Sequence, residues 1–185
     1  MSVPEMSNMP QTPKILVTYA TRAGATAGVA EAIAKTLTES GLSVDVLPMQ
    51  EVQSLSYYAA VVAGSAIQNR QWLPEAMHFL QTHREALHQK PVALFAVCMT
   101  LAMRNGEKYR SQISDWLLPV RNLAQPVSEG LFAGVLEIRK IPSFGDRLKF
   151  RLSVLFGVWS EGDHRDWDAI RAWAKTLPSK LSLGD

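Results

Sequence analysis

The sequence predicts an α/β protein: a doubly wound parallel sheet of five strands in the order 2-1-3-4-5, with helices on both faces. Three observations predict it. Short, almost uninterrupted apolar runs, the pattern of strands buried on both faces, alternate along the chain with longer amphipathic segments. Right-handed crossovers between such runs leave few topologies open. The turn after the first run, Thr18-Tyr19-Ala20-Thr21-Arg22-Ala23-Gly24-Ala25-Thr26, is rich in hydroxyls and small residues immediately ahead of an alanine-rich helix.

Residues 15–18, in a run that begins at Lys14, form the first strand. The helix over 26–40 follows and stops at Gly41, which enters the left-handed conformation of a helix end without strain. Residues 43–47 are the second strand, and the connection over 49–58 is short and weakly helical. The third strand spans 59–64. A helix over 73–88 then starts with Pro74 at an early position, where its missing N–H is not needed. The fourth strand is 92–98. In the helix over 107–123, Ile113, Trp116, Leu117 and Val120 share one face. The fifth strand is 130–136. The last helix, 166–181, spaces Trp167, Ile170, Trp173 and Ala174 at the helical period and has Asp163 or Asp166 as its cap. Residues 1–13 read as a flexible tail and 14–182 as a single domain.

Composition narrows the function classes. With 185 residues and 47% apolar content, the chain can fill one core. Nineteen basic against 17 acidic residues give a net charge of +2, which points to no nucleic-acid partner. One cysteine, Cys98, permits neither an internal disulfide nor a multi-cysteine metal site and suits the reducing cytoplasm. The polar first dozen residues match neither a signal peptide nor a membrane span. His78, His83 and His88 recur every five residues on one helix, which spreads them around it, so no metal site is expected.

The first turn is suited to an anion. A helix N-terminus exposes unpartnered N–H groups and carries about half a positive charge. Thr21 and Thr26 add hydroxyls, and Gly24 lets the backbone approach closely. An ordinary βα turn capped by Thr26 fits the same residues. Two further loops, 65–73 and 99–106, meet the first at the edge where the strand order reverses. Ser65, Gln68, Asn69 and Trp72 would flank a flat aromatic ring and satisfy its edge, although Trp72 also fits as a staple ahead of the Pro74 helix. No G-x-G-x-x-G and no Lys-Ser/Thr pair follows the first strand, which argues against dinucleotides and ATP. Acidic residues for a Mg²⁺-dependent receiver are absent after strands one and three. No Ser/His/Asp set or carboxylate pair can be assembled, so no catalytic side chain is expected.

The pattern Tyr19-x-Thr21-x-x-Gly24-x-Thr26-x-x-x-Ala30-x-x-Ile33 resembles the phosphate loop of flavodoxins, with Thr18 standing where that family usually has an apolar residue. Three segments resemble the flavodoxin-fold, menaquinone-dependent protoporphyrinogen dehydrogenases of bacteria: Thr21 to Thr26, Val61-Val62-Ala63-Gly64-Ser65-Ala66-Ile67, and Gly162-Asp163-His164-Arg165-Asp166-Trp167. The likeness runs over most of residues 14–178. It implies FMN as cofactor, with its phosphate on Thr21, Arg22, Ala23, Gly24, Ala25 and Thr26. The ring would lie against Ser65, Ala66 and Trp72 and against Met99, Thr100, Leu101 and Ala102. It also implies a porphyrinogen donor and a quinone acceptor. Ala23 and Ala25 depart from that branch, which often has aspartate and a polar residue there. Electron-carrier flavodoxins are acidic and usually place a tyrosine after the fourth strand; this chain has Cys98-Met99-Thr100-Leu101-Ala102-Met103. That loop suits a hydrophobic reactant, or else its apolar residues pack under the fourth helix.

Residues 139–159 form a basic, apolar insertion where a minimal flavodoxin has a short turn. Arg139, Lys140, Arg147, Lys149 and Arg151 oppose only Asp146, and Leu148, Leu152, Leu155 and Trp159 fall on one helical face. Such a helix can lie on an anionic membrane, at the inner face of the cell membrane, or its Arg147, Lys149 and Arg151 can pair with the propionates of a tetrapyrrole. Packing on the sheet or against a second subunit is equally compatible with the periodicity, so a homo-oligomer stays open. Two other functions also stay open: an electron carrier between protein partners, and a flavin-free interaction protein on the same fold.

Overall fold

A computed structural model describes residues 14–140 and 143–182, so the predicted tail over 1–13 lies outside the described residues. The main sheet is parallel, in the order β2-β1-β3-β5-β6, formed by β1 (Lys14–Ala20), β2 (Ser43–Pro48), β3 (Ala60–Gln68), β5 (Val92–Val97) and β6 (Ser128–Phe132). This is the predicted 2-1-3-4-5 topology. The numbering shifts because a two-residue strand, β4 (Gln71–Trp72), folds back antiparallel on the end of β3.

Side chains alternate across the pleat and so create two cores. Ile15 and Val17 join Val29, Ile33 and Leu37 of α1 (Ala25–Glu39) and Ile170 and Leu177 of α7 (Trp167–Lys180) on one face. Leu16, between them, joins Phe79 and Leu80 of α2 (Pro74–Thr82), Leu87 of α3 (Arg84–His88) and Val120 of α5 (Leu118–Ala124) on the other. Each such side chain contributes roughly 1.5–3 kcal/mol by leaving water. The sheet admits Phe95 only because β3 has Gly64 beside it: a Cβ there would overlap the Phe95 ring.

Three predicted elements are subdivided. The helix expected over 73–88 breaks at His83 into α2 and α3, and nothing in the local sequence explains the break. The helix expected over 107–123 becomes a 3-10 turn (Gly106–Tyr109), α4 (Arg110–Asp115) and α5. Pro119 accounts for the last division, since its ring would meet the carbonyl of Asp115 and it has no N–H to offer. The strand expected over 130–136 is β6 followed by β7 (Val135–Leu136), which leaves the main sheet and pairs antiparallel with β8 (Gly162–Asp163). The insertion is therefore an excursion that departs from and returns to a single strand pair. It carries α6 (Phe144–Leu155), and no helix among the described residues is long and apolar enough to cross a membrane.

Candidate functional site

Strands β1, β3 and β5 deliver three connections to the carboxyl edge of the sheet, where the order reverses between β1 and β3. In the first, the Gly24 N–H donates to Thr21 Oγ1 at 3.0 Å. Gly24 is the N-cap of α1 with φ +87°, a conformation that favours glycine, and a Cβ there would meet open space. The helix thus starts one residue ahead of the expected position, and Thr26 lies inside its first turn instead of capping it. Thr26 is fully buried and its hydroxyl has no partner among the described residues. No acidic residue occupies that turn. An orphaned donor beside free helix amides fits a phosphate. Arg22 turns aside and pairs with Glu75 at 3.1 Å.

Arg165 closes this loop from the other end of the chain. Its guanidinium donates to Ala25 O at 3.3 Å, is bound by both carboxylate oxygens of Asp163 at 2.8 and 2.6 Å, and lies 4.3 Å from the Trp167 ring centroid. The hydrogen bonds from Arg165 hold the Asp163 carboxyl below its usual range. A cavity of about 310 Å³ lies between Ala23, Gly24 and Ala25 on one side and Val135, Gly162 and Arg165 on the other. Asp166, not Asp163, caps α7, accepting from the Ala169 N–H at 2.9 Å.

The second and third connections enclose an open cleft of about 410 Å³. Ile67, Asn69 and Arg70 come from the β3–β4 hairpin, and Cys98, Met99, Thr100 and Met103 from the 98–106 loop. Tyr109, Gln112 and Trp116 form its outer wall. A larger concavity, of about 510 Å³, lies at the α2–α3 joint near the opposite edge of the sheet, remote from these loops.

The residues expected to surround a ring are divided by the structure. Met99 and Thr100 line the cleft; Leu101 and Ala102 share their 3-10 turn (Met99–Ala102) and are half-buried, and Ala66 is half-buried on β3. Ser65 is fully buried, accepting from the Leu73 N–H at 3.1 Å and donating to Ala66 O at 2.9 Å, so its hydroxyl is committed to the hairpin. Trp72 corrects the expectation of a ring-flanking tryptophan: it is only 2% exposed and packs in the α2 and α5 core, as the staple alternative required. Arg147, Lys149 and Arg151 sit on α6 and line neither cavity. Arg70, Tyr109 and Trp116 were not anticipated. The signal for Arg70 was a hairpin turn hidden in Gln68-Asn69-Arg70-Gln71, where the second turn position is an arginine instead of the customary glycine.

A family model described as a flavodoxin domain matches residues 16–164. The chain belongs to the flavodoxin domain family. Membership makes it a flavoprotein with FMN as its cofactor. Two curated relatives named protoporphyrinogen IX dehydrogenase [quinone] are similar to it. One, from Leishmania major, is 26% identical, with 89% of this chain and 74% of the relative covered. The other, from Escherichia coli K12, is 28% identical, with 89% and 94% covered. Among solved structures, a short-chain flavodoxin associated with a PDU bacterial microcompartment superposes with a TM-score of 0.56 at 13% identity, covering 91% of this chain and 99% of that one. The chain spans 38% of the rubredoxin oxygen:oxidoreductase of Desulfovibrio gigas, which it also resembles in fold, at a TM-score of 0.50 and 18% identity over 93% of its own length. These flavodoxin domains share the architecture, and distant similarity to the two dehydrogenases supports an oxidoreductase role.

Proposed function

We propose that this flavoprotein passes electrons from a porphyrinogen to a quinone while seated on the inner face of the cell membrane. The observation that carries the reading is the open cleft between the hairpin and the 98–106 loop. Methionines and the aromatic rings of Tyr109 and Trp116 give it an apolar wall, and no carboxylate among the described residues lines it. A surface of this kind receives a broad, hydrophobic donor better than a charged protein partner. The names of the two curated relatives support the same donor and acceptor.

Thr21, Thr26 and the first-turn amides of α1 hold the FMN phosphate, with Arg22, Ala23, Gly24 and Ala25 shaping the loop. Ala66, Met99, Thr100, Leu101 and Ala102 border the ring, with Ser65 fixing the hairpin behind them. When bound, FMN supplies the redox chemistry. The side chains bind, orient and exclude water, and none acts as acid or base. Each pair of hydrogens leaving the donor is matched by one quinone reduced to its quinol, so the six hydrogens lost between porphyrinogen and porphyrin require three quinones.

The insertion supplies the membrane contact. Phe150 and Val154 of α6 are half-buried, Phe150 against Trp159 with ring centroids 6.1 Å apart. Phe144, Leu148, Leu152 and Leu155 point the other way and are exposed. Trp159 therefore lies outside the apolar stripe in which the sequence had placed it. Stopped-flow mixing of reduced protoporphyrinogen IX with FMN-loaded protein and a quinone, without oxygen, tests the activity: quinone-dependent appearance of porphyrin fluorescence is expected. Absence of that signal, together with rapid exchange of electrons with a flavodoxin reductase, would favour the carrier alternative.

A further inference from the structure

The β3–β4 hairpin turns through Asn69 and Arg70, at φ +52° and +64°, with Gln68 paired to Gln71 and Ile67 to Trp72. Two consecutive left-handed residues in a two-residue loop are the mark of a type I′ turn, in which asparagine followed by glycine is the preferred pair. Asn69 meets that preference and Arg70 violates it. A long side chain in the left-handed region is strained, and an observed strain of this sort is retained where the residue has work to do.

Arg70 stands at the lip of the apolar cleft and is the one charged side chain among the described residues lining it. Two other arginines near these loops are engaged: Arg110 binds Glu107 through two hydrogen bonds at 2.7 and 2.9 Å, and Arg22 binds Glu75. Arg70 is exposed and has no hydrogen bond or ion pair among the described residues. A guanidinium at the rim of an apolar and aromatic wall matches a ligand with a broad hydrophobic body and a carboxylate at its edge.

We infer that Arg70 is a specificity residue, the anchor for a carboxylate of the ligand that enters this cleft. Under the proposed function that carboxylate is a propionate of the porphyrinogen, and to that extent the inference rests on that reading. It moves propionate recognition from Arg147, Lys149 and Arg151 of the insertion to the rim of the cleft itself.

The test titrates FMN-loaded protein with protoporphyrin IX and with its dimethyl ester, following tryptophan and porphyrin fluorescence. It compares the native chain with Arg70→Gly, Arg70→Lys and the control Arg104→Gln, an exposed neighbour that does not line the cleft. The native protein and R104Q should prefer the free acid about tenfold, equivalent to about 1.4 kcal/mol. R70G should lose that preference, and R70K should keep part of it. The urea midpoint of R70G should rise, because glycine relieves the turn, which rules out a folding defect. In turnover, R70G should raise the KM for the porphyrinogen about tenfold with kcat and the quinone KM unchanged. Retention of the acid preference in R70G overturns the inference, as does a loss of FMN affinity in that variant, which would assign the guanidinium to the flavin. A native protein that does not oxidise the porphyrinogen overturns the proposed function alone. The porphyrin titration reads the cleft without turnover: a preference abolished by R70G still upholds the anchor, and no preference in the native protein overturns it.

Discussion

Gly28 leaves the space that Arg165 fills: a Cβ on residue 28 would stand 2.5 Å from Nη1 of Arg165, the atom that donates to Ala25 O. Two segments 140 positions apart thus meet at the first turn of α1, and the cation lies beside the end of that helix which attracts an anion. Gly28→Ala should stabilise α1 by helix propensity, by roughly 1 kcal/mol, yet push the guanidinium away. FMN should then dissociate about tenfold more readily, as it should from Arg165→Met. Fluorescence titration of the apoprotein with FMN measures both. Native affinity in both variants would show that Arg165 only braces the Asp163 turn.

Tyr58 provides a test by pH. Its hydroxyl donates to Asp45 Oδ2 at 2.9 Å, and Asp45 also pairs with Lys14 at 2.8 Å. Burial, followed by the hydrogen bond to Asp45, pushes the phenol from 10.0 up to about 12. The folded state therefore holds this proton more tightly than the unfolded chain. The stability that results is complete below pH 10 and is lost as pH rises towards 12. Unfolding free energies from urea titrations between pH 9 and 12 should fall in the native protein by up to about 2 kcal/mol from this group, and Tyr58→Phe should flatten that part of the curve. Parallel curves for the two proteins would remove Tyr58 as the cause.

Thr18 is fully buried in β1, and its hydroxyl lacks a partner among the described residues. A polar atom in that position is destabilising, whereas valine keeps the branched shape and suits a strand. Thr18→Val should raise stability by about 1 kcal/mol with an unchanged urea slope and unchanged FMN affinity. A lower midpoint would mean that the hydroxyl is satisfied in solution.

The fold was legible in the sequence because buried parallel strands leave continuous apolar runs, and five of them punctuated by amphipathic segments admit few arrangements. The shape of the first turn was legible for a similar local reason: Thr21 and Gly24 set it through a hydrogen bond and backbone geometry within a few residues. The wall of the cleft was not. Trp72 and Trp116 both read as large apolar residues at helix-associated positions, but β4 folds Trp72 into the core, while the division at Pro119 leaves Trp116 half-exposed beside Met103. Which tryptophan faces a ligand depends on how the hairpin and α4 meet, and that is tertiary. Arg165 was equally hidden, because its partner Ala25 lies at the far end of the chain.

The face of α6 yields the last prediction. Phe144, Leu148, Leu152 and Leu155 recur at intervals of three and four residues and are 79%, 51%, 46% and 78% exposed. At 100° per residue, Arg147 and Arg151 fall along one border of this stripe and Lys149 along the other. Apolar side chains flanked by cations match the boundary between acyl chains and anionic headgroups. Partial burial of four such side chains contributes a few kcal/mol, and each cation near the surface about 1 kcal/mol. The protein should therefore sediment with vesicles containing phosphatidylglycerol, weakly with phosphatidylcholine alone, and less as salt rises. Leu148→Ser with Leu155→Ser should abolish sedimentation and leave FMN binding and reduction of a water-soluble quinone intact. If instead the native chain is a dimer by analytical ultracentrifugation, and the same pair of substitutions makes it a monomer without changing vesicle binding, the stripe is a subunit interface and the membrane reading is wrong.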